Sequence, residues 1–205
     1  MAKQGEMAEV RRGTAESEVR AALYSGAWGG TKIETGLAFL DHMIETITWR
    51  AGVNAELQIK TKKQKLAHMV AEDSGIALGM AFAELAAGKR AAGINGCGSS
   101  VAVIDEAMAT ACVSIEGRAN CFVDRNCTGA RTECVESMQS ADLVAFLEGF
   151  AQGARCTLRV DIGRGDDPHH AWEAGFRALG EALGKALEPN SFRAGSIAGM
   201  KRTIE

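Results

Sequence analysis

The chain lacks an excess of charge of one sign: its 23 basic and 26 acidic residues leave a net charge of −3, with the basic residues dispersed. That removes the electrostatic argument for nucleic acid as the main partner. It also lacks any apolar run near the roughly 20 residues needed to cross a bilayer, so no membrane association is expected. The six cysteines, at 97, 112, 121, 127, 134 and 156, show no C-x-x-C spacing. No signal-peptide pattern precedes them, so they read as reduced thiols of a cytoplasmic protein rather than a disulfide framework. Histidine is scarce as well, with four residues in 205. What there is lies beside acids: Asp41-His42, His68 four residues before Glu72, and His169-His170 before Glu173. Imidazole and carboxylate are the usual protein ligands of Zn²⁺, Mn²⁺ and Fe²⁺, so this clustering points to a divalent-metal site.

Two of these motifs are copies. A shift of 101 positions superposes His68 on His169, Glu72 on Glu173, Leu78 on Leu179 and Gly79 on Gly180. The same shift lays the alternating run Glu56-Leu57-Gln58-Ile59 on Thr157-Leu158-Arg159-Val160, so a strand and its following helix match without a gap. The pattern is that of an internal duplication. With 46% hydrophobic residues, the chain can bury an ordinary core as two fused halves of about 100 residues each.

Periodicity predicts strands at 18–24, just after Gly29-Gly30, and at 53–61, with helices over 37–49 (carrying His42) and 68–87. Gly93 to Gly98 breaks the chain. In the second half, strands are expected at 101–104, 109–115, 120–123 and 156–162, a polar loop over 126–139, and a helix over 143–152. The last helix opens with Asp167 as N-cap and Pro168 at its first position, and ends before Pro189. This gives half-repeats at 1–95 and 96–188 and a tail at 189–205 without periodicity. The fold class expected is α+β, with duplicated βαβ-type halves in which strands pack under two helices. On a helix, positions i and i+4 share a face, so His68 with Glu72 and His169 with Glu173 each present an imidazole beside a carboxylate. His170 lies about 100° round from His169, placed for a second ion or a neighbouring chain.

Several segments together resemble the motifs of imidazoleglycerol-phosphate dehydratase. They are 12–17 (Arg-Gly-Thr-Ala-Glu-Ser), 36–43 around Asp41-His42, 68–79, 104–107 around Asp105-Glu106, 116–118 and 169–177, in order and spacing. The resemblance implies a duplicated fold on mostly antiparallel four-stranded sheets, each with two helices on one face. It implies a large homo-oligomer, a 24-mer built from trimers, with active sites between subunits. The activity implied is dehydration of an azole-bearing phosphate ester in histidine biosynthesis, with two Mn²⁺ holding the azole. Carried over residue by residue, the metal ligands are His42, His68, Glu72, His169, His170 and Glu173. The proton-transfer candidates are Glu16 and Glu72, and the phosphate contacts are Arg118, Arg177 and Ser196.

Departures from that pattern are specific. Met69 and Arg159 stand where the family has histidine ligands, Arg50 stands where it has another histidine, and Gly96 and Ala198 replace two basic phosphate contacts, with Lys201 close by in sequence. If the duplication is mirrored in the ion sites, His42, His68, His170 and Glu173 form one complete set. Glu72 and His169 are then left with two lost partners, and one metal per chain is expected (Mn, with Zn or Fe as alternatives). Arg159 would then stand near Glu72 in place of the missing cation. The alternative partition, one loss per site, predicts two weakened sites. Three readings follow: a working dehydratase, a diverged relative with a different azole-like substrate, and a non-catalytic metal-stapled oligomer.

Overall fold

The structure, a computed structural model, describes residues 6–196. The first half runs β1 (Met7–Gly13), β2 (Ser17–Tyr24), β3 (Thr31–Glu34), α1 (Ala38–Ala51), β4 (Asn54–Thr61) and α2 (Ala67–Gly88). The second runs β5 (Cys97–Ile104), β6 (Ala107–Ser114), β7 (Asn120–Arg125), α3 (Thr128–Arg131), β8 (Cys134–Val135), β9 (Met138–Gln139), α4 (Ser140–Ala154), β10 (Thr157–Arg164) and α5 (Pro168–Leu187).

The two main sheets have one topology, β1-β2-β4-β3 and β5-β6-β10-β7, with only the last pair of each parallel. The duplication is therefore structural as well as sequential. Leu57 and Leu158, superposed by the 101-residue shift, sit on the equivalent strands β4 and β10 and are both buried. Period-2 alternation explains the layering: Ala55 and Leu57 face the core while Glu56 and Gln58 face out, where they meet Arg20 and Glu34. The outer face of the second sheet is more apolar, exposing Val101, Val103 and Phe122.

Helices join the halves. α2 packs on its own sheet and against α4; α5 packs on its own sheet and against α1. The α2–α4 contact is backbone to backbone, because Gly75 and Gly79 on one helix face Gly149 and Gly153 on the other. A Cβ at Gly79 would lie 2.3 Å from the Phe150 carbonyl oxygen, and one at Gly153 2.1 Å from that of Ile76.

Three expectations need correction. Residues 7–13 form a full strand, β1, where none was read, because only Ala8 and Val10 of its side chains are buried and the apolar signal is short. β5 begins at Cys97, four residues earlier than its hydrophobic part. The polar segment 126–139 carries α3 and the β8–β9 hairpin rather than only loop. The tail positions Ala198 and Lys201 lie outside the described residues. All six cysteines are free, and no helix among the described residues is long and apolar enough to cross a membrane.

Candidate metal centre

Two local devices aim the imidazoles. Asp41, in the first turn of α1, accepts the backbone N–H of Thr35 at 2.9 Å and also its hydroxyl, which fixes the entry to the helix and so the direction of His42. The Asp167 carboxylate caps α5 by accepting the backbone N–H groups of His169 (2.7 Å) and His170 (3.1 Å), while Pro168 fills the first helical position. Packing of α1 on α5 then brings His42 to the α5 face that carries His169 and Glu173.

There, Nε2 of His42 and Nε2 of His169 lie 3.3 and 3.2 Å from the same oxygen, Oε2, of Glu173. One ligand atom from each of the three residues falls within 4.8 Å of the other two, the sole such group among the described residues. The other Glu173 oxygen, Oε1, accepts Arg177 Nε at 2.9 Å and Nη2 at 2.7 Å. Burial pushes the Glu173 carboxyl upward, but Arg177 and His42 outweigh it and hold the group below its ordinary value. The carboxylate is thus ionised, with one oxygen clamped and the other facing two imidazoles.

Glu136, at the turn of the β8–β9 hairpin, completes the arrangement. Its Oε1 lies 2.8 Å from His169 Nδ1. A proton on Nδ1, donated to that carboxylate, leaves the Nε2 lone pair free on the Glu173 side, the outer-shell pattern of metal-bound histidines. Glu136 has φ +49°, a left-handed conformation rare for a residue with a side chain. Nothing in the periodicity singles it out, because it sits in the stretch read as polar loop. Two imidazole nitrogens and an ionised carboxylate that fix their own tautomer fit a divalent ion of the Mn, Fe or Zn type.

His170 is not in this group. Its Nδ1 lies 2.9 Å from Glu106 Oε2, its Nε2 lies 3.5 Å from Asp105 Oδ2, and the Glu106 pair raises its pKa. Glu106 also accepts the backbone N–H groups of Asp166 and Asp167; the Asp167 N–H above all, then His170, lower its carboxyl to about 2. The Asp105-Glu106 motif therefore anchors the start of α5. Within one chain, His169 and not His170 joins His42 and Glu173, a different grouping from the partition expected by mirroring the duplication.

His68 and Glu72 lie on α2, away from α1 and α5. His68 Nδ1 is 3.3 Å from Asp142 of α4, so Nε2 is left for solvent or another molecule; the side chain is 66% exposed. Glu72 is exposed too. Where α1 brings an imidazole to α5, α4 brings only a carboxylate to α2. Arg159 does not reach Glu72: its Nη2 binds Asp124 at 2.5 Å and its guanidinium lies over Phe122. Within one chain the two lie apart, since Arg159 points outward from β10 whereas α2 belongs to the other half. Arg50 pairs with Glu181 at 2.9 Å.

The segment 12–17 is built around buried Asp73: Arg12 Nη1 donates to it at 2.5 Å and Ser17 donates its hydroxyl. Glu16 is exposed in the β1–β2 turn. Arg118 is exposed, and Ser196 donates to the Arg193 carbonyl at 2.8 Å. Arg177 is not near Ser196, since it bonds the Val103 carbonyl nine residues along α5 from Ala186, the helix position that contacts Gly96. Nine residues of helix span roughly 13 Å.

A duplicated α+β chain in which two histidines and a carboxylate converge between helices defines the class: an α+β protein with a candidate metal site. The comparisons identify the family. The family model for imidazoleglycerol-phosphate dehydratase matches residues 35–183. The chain is 35% identical over 198 residues to the imidazoleglycerol-phosphate dehydratase of Acidithiobacillus ferrooxidans, covering 96% of both chains. It is 33% identical over 195 residues to that of Methylococcus capsulatus, covering 95% of this chain and 96% of the relative. The crystal structure of the Staphylococcus aureus enzyme of that name superposes with a TM-score of 0.76 at 26% identity, covering 90% of this chain and all of the other. That from Pyrococcus furiosus gives 0.78 at 26% identity over 94% and 99%. This chain belongs to the imidazoleglycerol-phosphate dehydratase family.

Proposed function

We propose that the protein is a metal-dependent carbon–oxygen lyase of histidine biosynthesis that dehydrates imidazole glycerol phosphate, in the cytoplasm, with one resident divalent ion per chain in place of two. The observation that carries this reading is the asymmetry of the two helix faces: His42, His169 and Glu173 converge at α1–α5, whereas His68, Glu72 and Asp142 at α2–α4 form no such group. Manganese suits the mixed nitrogen and oxygen donors, with zinc and iron as alternatives.

A bound ion would supply Lewis acidity toward an azole nitrogen. The chain's own residues do the rest. Glu136 holds His169 in the tautomer that turns Nε2 inward, and Arg177 keeps Glu173 ionised. Dehydration breaks one C–H and one C–O bond: a carboxylate takes the proton, and the hydroxyl leaves as water once protonated. Glu72 and Glu16 are the candidate carboxylates, and neither lies at the cluster of its own chain. Glu72 and the outward His68 Nε2 are presented on a different face, so a second copy must bring them to His42 and Glu173. That requirement, and the exposed Val101, Val103 and Phe122, support a homo-oligomer with shared active sites, up to a 24-mer of trimers.

A second reading, a different azole-like substrate, is favoured by the cleft beside the cluster, where Trp28 and Trp49 form an exposed T-shaped pair next to Arg50. The test is metal content per chain together with turnover of imidazole glycerol phosphate. One ion with turnover supports the proposal, two ions overturn the stoichiometry, and one ion without turnover transfers the case to the second reading or to a metal-stapled scaffold.

A further inference from the structure

Glycine stands at position 96, where the resemblance implies a cation, yet the wall beside it is not bare of charge. A cavity of about 80 Å³ lies where the ends of α2 and α4 meet Ile94, Gly96, Ile115, Gly117 and Ser196. At roughly 10–15 Å³ per water-sized group, it holds about five to eight such groups, enough for a phosphoryl head and not for an azole as well. Two arginines line it: Arg90, half-buried just past α2, and Arg155, exposed at the C-cap of α4. Among the described residues, neither side chain makes a salt bridge or hydrogen bond. The single acid in the lining, Glu116, takes the Ser114 hydroxyl at 3.0 Å.

Both arginines are held in place by the backbone. Gly195 donates its N–H to the Arg90 carbonyl at 2.9 Å, which joins the Ser196 segment to Arg90. Arg155 has φ +49° and ψ 45°, the left-handed conformation in which helices usually end on glycine. A long cationic side chain at that position is conformationally unfavourable, which marks it as a candidate for function. Gly96, in turn, has φ +67°, so a side chain there would be strained and the charge has to come from elsewhere.

We infer that Arg90 and Arg155 form the phosphate subsite of this chain, clasping a phosphomonoester head in the cavity beside Ser196 and so replacing the cation absent at 96. The inference rests on the reading that the substrate carries a phosphate, so it is tested first without turnover. Binding of inorganic phosphate to the full-length protein is measured by calorimetry, beside Arg90→Ala, Arg155→Gly and the charge-matched surface control Arg11→Ala. Loss of one charge-assisted contact corresponds to a drop of roughly ten- to a hundredfold in affinity. The expected result is that drop in both cavity variants and none in the control. Arg155→Gly is expected to be more stable than the parent while binding phosphate less well, a combination that a purely structural role for Arg155 does not give. Parent-like phosphate affinity in both cavity variants, or an equal loss in all three, overturns the subsite. If the protein also turns over imidazole glycerol phosphate, the same variants raise KM more than they lower kcat. Phosphate binding that depends on both arginines but without turnover upholds the subsite and removes the dehydratase reading.

Discussion

Glu136 is the residue on which the metal centre's preorganisation depends, because it decides which His169 nitrogen carries the proton. Glu136→Gln keeps the shape but replaces a carboxylate acceptor by an amide that can also donate, so the His169 tautomer is no longer fixed. Removal of such an outer-shell partner typically costs 10- to 100-fold in metal affinity. We expect a loss in that range on titration with Mn²⁺ or Zn²⁺ with little change in thermal stability, since Glu136 is exposed on a hairpin turn. A larger effect on stability than on affinity would assign Glu136 to the hairpin instead. The Glu106–His170 pair makes a separate prediction for the metal-free protein. Glu106 falls from an ordinary 4.5 to about 2, so its contribution is complete above 4.5 and fades as pH drops toward 2. His170 is raised above its ordinary 6.5, so its contribution is complete below 6.5 and fades as pH rises through the folded value. The start of α5 is therefore held most firmly between about 4.5 and 6.5. Imidazole NMR titration should place His170 above 6.5 in the parent and closer to it in Glu106→Gln.

Among the elements, the α2–α4 crossing is decided by competing magnitudes. Alanine is favoured over glycine inside a helix by about 1 kcal/mol, which alone would make Gly79→Ala stabilising. Against that, the new Cβ would sit 2.3 Å from the Phe150 carbonyl oxygen and 2.7 Å from the Ala154 nitrogen, backbone atoms that cannot swing aside. Overpacking of this kind costs about 1–3 kcal/mol or more, so the net effect is a loss of stability, measurable as a lower urea midpoint with an unchanged slope. Much at this scale was legible beforehand. The 101-residue shift located β4, β10, α2 and α5, and Asp167-Pro168 marked the start of α5 to the residue. The rest was hidden for identifiable reasons: β1 buries too few side chains to alternate visibly, and β8–β9 is too short for any periodicity. Helix spacing showed that His169 and Glu173 share a face. It did not show that His42 rather than His68 faces them, because that follows from which helix packs on α5.

At the scale of the whole molecule, the two halves are alike in fold and unlike in chemistry, and assembly makes that difference consequential. The α1–α5 face carries three donors, one short of the four that a closed tetrahedral site uses. The α2–α4 face carries His68 with its Nε2 turned outward, Asp142 behind it and exposed Glu72 one turn further along α2. If a neighbouring copy's His68 completes the cluster, metal and assembly are thermodynamically linked, and each ion bound stabilises the oligomer over the free chain. Light scattering of the purified protein should then show a large particle that falls to a smaller species with excess chelator and returns when Mn²⁺ is restored. Acid should act like chelator as the imidazole ligands take up protons, because a protonated nitrogen cannot bind metal. His68→Ala separates linkage from simple folding: the side chain is exposed, so the monomer should keep its stability while the particle no longer responds to metal. A His68→Ala protein that assembles and disassembles with metal like the parent would show that the fourth donor comes from elsewhere and that α2 has no part in the centre.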